Sequence, residues 1–168
     1  MRQQAMICPT ILMAVLLSCG PSSTAQLEEN KEVARRFIEA VNNGDYDALD
    51  ELMMPDFVRH SQATSDIEIR SREEFKRFDE EYKATFPDAK ITVHFVLAEG
   101  DKLGAYMTFT GTQEGEMGPF PPSGRTVESK FLGIMRLDGG KIAEMWVEWD
   151  NLAMLAQLGH FPPVGTEQ

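Results

Sequence analysis

Apolar residues first recur at helical spacing in Val33, Ala34, Phe37, Ile38 and Val41, and Gly44 in "NNGD" ends that run. A second helix is predicted from Tyr46 to Met53, with Leu49, Leu52 and Met53 on its apolar side and Pro55 blocking its extension. "SREE" at 71–74 has the form of a capping box, Ser71 at the cap and Glu74 reaching back. The helix it opens carries Phe75, Phe78 and Tyr82 on one stripe and stops before Pro87. The period then changes to two. Ile91, Val93, Phe95 and Leu97 alternate with Lys90, Thr92 and His94, "EGDK" makes a turn, and Leu103, Ala105, Met107 and Phe109 return. A Gly- and Pro-rich loop, "EGEMGPFPPSGR", separates these from a third long strand through Val127, Phe131 and Met135. "DGGK" turns the chain into a fourth strand, Ile142 to Trp149, and the short apolar run after Asp150 reads as a helix that Gly159 ends.

Helices followed by a meander of long antiparallel strands predict an α+β domain. Gly104, Gly111 and Gly133 lie inside strands and suggest bends or bulges, hence a strongly curved sheet. N-terminal helices covering such a sheet enclose an internal pocket, the ordinary setting for a small ligand. Phe37, Phe75, Phe78, Phe109 and Phe131 are expected in the core.

Composition narrows the function. With 168 residues the chain has room for one domain, and its net charge of −11 repels phosphate backbones, so no nucleic-acid partner is expected. Phosphate-binding glycine loops and paired cysteine or histidine metal motifs are missing, and His60, His94 and His160 have no metal-ligand spacing. No metal and no cofactor are therefore expected. Arg2 is the single charge before Glu28, and "MICPTILMAVLL" is too short to span a bilayer comfortably. Residues 1–18 read as a signal peptide of lipoprotein type. "LLSCG" resembles a bacterial lipobox, with Cys19 as the lipid-modified first residue, so the membrane is met only through a lipid anchor on the periplasmic side. A cut after Ala25 would instead release a secreted or periplasmic protein. Residues 19–29 read as a polar tether, 30–162 as the folded domain and 163–168 as a tail. Either cut leaves that domain without a disulfide, since Cys8 and Cys19 are the two cysteines.

The chemistry centres on "EMWVEWDNLAMLAQLGH". By strand alternation Glu144, Trp146, Glu148 and Asp150 share a face, where neighbouring carboxylates disfavour each other's ionisation. Asp150 then reads two ways, as an acid/base in a pocket or as the N-cap of the helix that follows. The two tryptophans fall on opposite faces. Trp146 is expected to line the cavity with Glu148 beside it, and Trp149 to sit in the core. His60 stands either at the cavity rim or on the surface, His94 is exposed or paired between strands, and Arg136 either binds an anionic group of a ligand or is a paired surface arginine.

"FIEAVNNGDYDALDELMMPDFVRHS", "FPDAKITVHFVLAEGDKLGAYMTFTGTQEGEMGPFPPSGR" and "GKIAEMWVEWDNLAMLAQLG" together resemble the SnoaL-like polyketide (ester) cyclases of the nuclear transport factor 2-like superfamily. The resemblance covers about residues 31 to 160. It implies a cone-shaped domain, a homodimer through the open sheet face, and an intramolecular aldol closure without metal or Schiff base. It also implies Asp150 as the acid/base, with Trp146, His60 and Glu148 about the substrate. Where the family has a histidine near the site, "GIMRLDGG" offers Arg136. The expected function is carbon-acid chemistry on a small apolar carbonyl compound. The alternative is a non-catalytic ligand-binding or interaction module of the same fold.

Overall fold

The computed structural model describes residues 23–161. The expected signal segment, Cys19 and the tail 163–168 lie outside them. Two long elements frame the domain: α1 (Thr24–Asn43) and, after α2 (Tyr46–Leu52) and β1 (Met53–His60), α3 (Arg72–Thr85). Then come β2 (Lys90–Glu99), β3 (Lys102–Thr112), β4 (Thr126–Asp138), β5 (Lys141–Trp149) and α4 (Asn151–Leu158). The five strands form one sheet in the order β1-β5-β4-β3-β2. β2 to β5 are the expected antiparallel meander, whereas β1 joins β5 in parallel. The α+β class and the helix-covered cone are as the pattern required.

Two elements differ from the sequence reading. Part of the segment taken as tether is helical, because Ser23 caps α1 by accepting the amide of Gln26 at 3.1 Å. Asn30 then docks the helix, its side-chain amide donating to the carbonyl of Gly100 at 3.1 Å. These are polar anchors and leave no apolar periodicity to read. The second difference is β1, which begins at Met53, read as a helix end, and runs through residues to which the periodicity assigned no element. Pro55 is tolerated there because β1 is an edge strand and its register with β5 is interrupted between Met53 and Val58. Beyond β1 a single bridge, Arg59 to Ile69, covers part of that edge.

Sheet curvature does not come from register shifts at the expected glycines. The shifts fall at Met53/Val58, Val93/Phe95 and Arg136/Leu137, while β3 and β4 pair without interruption from Lys102↔Arg136 to Thr112↔Thr126. Gly111 and Gly133 instead make room, since an added Cβ would stand 3.2 Å from the Phe86 side chain and 3.0 Å from Met107 Cε respectively. Helices α1, α2 and α3 pack on the concave face around Phe37, Leu49, Phe57 and Met135, all but fully buried. At one end α4 closes the cone, placing Met154 and Leu158 against Phe86, Phe109 and Val127. The Pro-rich loop is held there by Gln113, which is fully buried and donates to the carbonyls of Gly115 and Pro121 while its oxygen meets His160 Nε2 at 2.7 Å.

Candidate functional site in the cone

The concave face and its helices enclose a cavity of about 140 Å³. Phe37, Phe75, Phe78, Phe109 and Phe131 all contribute to its wall, so the expected core aromatics are also the pocket surface. From the sheet come Met107, Met135, Met145, Val147 and Trp149, with Met154 of α4 at the closed end. The inward parity of β5 is therefore Met145, Val147, Trp149. This reverses the expectation for the tryptophans. Trp149 lines the cavity, and its indole N–H donates to Asn151 Oδ1 at 2.9 Å. Trp146 lies on the convex face, opposite Ile134 of β4 and His60 of β1. There its ring stacks on His60, centroids 5.0 Å apart, so neither residue reaches the pocket.

Glu148 and Asp150 are also outside the cavity, and each has work to do where it stands. Glu148 accepts the amides of Gln62 (2.7 Å) and Ala63 (3.1 Å), clamping the loop after β1 to β5. Asn151 adds a bond from its side-chain amide to the carbonyl of Ala63. Asp150 takes the N-cap geometry, its Oδ1 accepting the amide of Ala153 at 2.9 Å. The carboxylate is thus used on the first turn of α4, the second of the two roles its sequence position allowed. Arg136 pairs with Glu144 at 3.4 Å on the outer face, and His94 meets Thr108 across strands at 2.7 Å, both as expected.

The polar groups that do line the cavity were not singled out by pattern. Arg59 of β1 is 7 % exposed, and its guanidinium lies 5.0 Å from the Phe78 ring and 5.8 Å from Trp149. Nη1 donates to Thr64 Oγ1 at 3.0 Å, in the loop that Glu148 clamps. Burial lowers the Arg59 pKa, against the opposing pull of Glu148 and Tyr82. Tyr82, beside Phe86 and Phe109, is pushed well above an ordinary phenol by burial, with Arg59 acting the other way.

On the helical wall stands Asp79, 6 % exposed. Its Oδ2 pairs with Lys83 Nζ at 2.6 Å and accepts from the Tyr46 hydroxyl at 3.2 Å. Lys83 also donates to the carbonyl of Val41, tying α3 to the end of α1. Burial, then the charge of Asp79, raises the Tyr46 pKa to about 12. Asp79 Oδ1 has no hydrogen-bond partner among the described residues. Alternation along α3 hid this group, since an aspartate beside Phe78 reads as a solvated position. Its α3 stripe partners Phe75 and Tyr82 were the available signal: Asp79 lies four residues from Phe75 and three from Tyr82. Among the described residues no cluster of three or more histidine, cysteine or acidic side chains could hold a metal ion.

A family model described as SnoaL-like polyketide cyclase matches residues 31–158. Among solved structures, the chain is similar to a protein from Jannaschia sp. CCS1 assigned as a SnoaL-like polyketide cyclase. That match has 26% identity and a TM-score of 0.75, covering 86% of this chain and 100% of the other. IdmH of Streptomyces antibioticus, assigned as a polyketide cyclase, is 34% identical with a TM-score of 0.69, covering 77% and 98%. An LEH-like epoxide hydrolase of M. tuberculosis shares the fold at 17% identity, with a TM-score of 0.65 over 79% and 91%. No curated protein matches the chain.

Proposed function

The chain belongs to the SnoaL-like polyketide cyclase family, and from that premise we propose that its cone pocket carries out carbon-acid chemistry on a small apolar carbonyl compound. Family and fold support a function of cyclase or isomerase type. The observation that carries the finer reading is the wall composition: a largely apolar cavity into which two cations, Arg59 and Lys83, and one carboxylate, Asp79, are set, Lys83 being paired with Asp79. In this reading Arg59 orients the compound through an oxygen. Asp79 Oδ1 takes a proton from the carbon next to the carbonyl, and the electron pair moves onto the carbonyl oxygen. The enolate then either attacks a second carbonyl of the same molecule, closing a ring, or regains the proton at another carbon. Aromatic walls exclude water, which keeps the carboxylate effective as a base. Asp150, expected as the acid/base from the family resemblance, would have to leave its cap to reach such a substrate.

The non-catalytic binding module is the second reading. One observation favours it, namely that Asp150 is engaged outside the pocket. Proton exchange at carbon distinguishes the possibilities on a panel of activated ketones and polyketide-like esters. Asp79→Asn is expected to lower exchange about 10²- to 10⁴-fold, the usual loss for a general base. Asp150→Asn should leave it within a few-fold. Loss on Asp150→Asn with retention on Asp79→Asn would return the role to Asp150, and an inactive parent would leave the binding module.

Export with lipid attachment at Cys19 is proposed from the lipobox. Cys19→Ser should abolish incorporation of labelled fatty acid. A homodimer is proposed through the convex face, where Phe95, Leu97, Leu132 and Ile134 are exposed together.

A further inference from the structure

Arg59 is 7 % exposed, yet it makes no salt bridge among the described residues. Glu148, whose charge acts on Arg59, spends both carboxylate oxygens on the amides of Gln62 and Ala63. A guanidinium has five N–H donors in a planar fork, and here the one side-chain bond is that of Nη1 to Thr64. It lies over the rings of Phe78 and Trp149, contacts that use none of its hydrogen-bond donors. Trp149 is itself held by Asn151, and Asn151 by the carbonyl of Ala63 in the same clamped loop. A buried, rigid, incompletely paired cation at the wall of an apolar cavity is costly to the empty protein, and an anion of matching geometry relieves that cost.

We propose that the cavity takes a small apolar monocarboxylate, with the carboxylate bound in bidentate fashion by Arg59 and the apolar body among the aromatic walls. The inference rests on the small-carbonyl reading of the same pocket and names its substrate class as a keto acid rather than a keto ester, the ketone serving as the carbonyl of that reading and the carboxylate as the group that Arg59 holds. Carboxylate and guanidinium match in plane and spacing, which a point-charge lysine would not reproduce. Size sets the second limit. A cavity of about 140 Å³ is near the roughly 150 Å³ that holds a benzene molecule, so the body is one ring or a short acyl chain. A fused polycycle exceeds it.

Matched probes test this on the full-length chain at neutral pH: phenylacetate against methyl phenylacetate, and hexanoate against methyl hexanoate. Affinity is read by calorimetry and by the change in tryptophan emission, the part from Trp149 being isolated with Trp146→Phe. Each acid is expected to bind about 10- to 100-fold tighter than its ester, the range of a charge-assisted hydrogen bond. Arg59→Met keeps the apolar stem and should abolish this preference, weakening the acids about 10- to 100-fold more than their esters. If that variant does not fold, the acid-to-ester ratio of the parent still decides. Esters bound as tightly as acids would overturn the carboxylate assignment and leave the small-carbonyl reading standing. Failure of all four probes to bind would overturn both.

Discussion

Tyr46 shows how one buried contact makes stability depend on pH. In the unfolded chain its phenol ionises near 10.0, whereas burial and the charge of Asp79 hold the proton to about 12 in the fold. Between those values the folded state binds more protons than the unfolded state, so stability falls as pH rises. The contribution is fully present below pH 10 and is lost through the folded value. Tyr82, raised in the same direction by burial, adds to the alkaline loss. The melting temperature is therefore expected to decline from about pH 10 upward. Tyr46→Phe should decline less steeply over that interval, and an identical slope in the variant would remove Tyr46 from the account.

At the scale of elements, the junction of β5 and α4 carries more than a strand end. Asp150 caps α4, Glu148 and Asn151 hold the loop after β1, and that loop presents Thr64 to Arg59. Asp150→Asn should change stability little, because asparagine caps about as well as aspartate; Asp150→Ala should cost about 1 kcal/mol. Glu148→Ala acts differently. It frees two amides, so hydrogen exchange at Gln62 and Ala63 is expected to accelerate at least several-fold while the core strands keep their protection. Unchanged exchange at those two amides would show that the clamp does not hold the loop.

Across the whole molecule, the two faces of one sheet are both apolar, and they serve different ends. The concave face builds the cavity. On the convex face, register places Leu97, Gly104, Ile134, Trp146 and His60 in one row and Phe95, Tyr106 and Leu132 in the next. Phe95 at 52 %, Leu97 at 65 % and Leu132 at 60 % exposure make this a contiguous patch that a monomer would leave wet. The proposed homodimer would cover it with the same residues of a second copy related by a two-fold axis. Light scattering should report twice the chain mass for the parent and a single chain for Leu132→Glu with Ile134→Glu. A monomeric parent would set the dimer aside.

Local periodicity determined α1 beyond its first turns, the capping box of α3 and the alternating strands β2 to β5, because each is written in side chains that repeat at 3.6 or 2 residues. The cone and its pocket followed from that pattern, and the family was legible in the three quoted segments. Tertiary structure decided what no local period encodes. β1 pairs with a strand more than eighty residues away in sequence, and its Pro55 reads as a break until the strand is known to be an edge. Which tryptophan turns inward depended on the register of β5 against β4, since a shift of one residue exchanges the two faces of a strand. Arg59 and Asp79 look like ordinary surface charges along the chain. Only the closure of α3 over β1 and β5 removes them from water and gives a pocket with a cation on its sheet wall and a carboxylate on its helical wall.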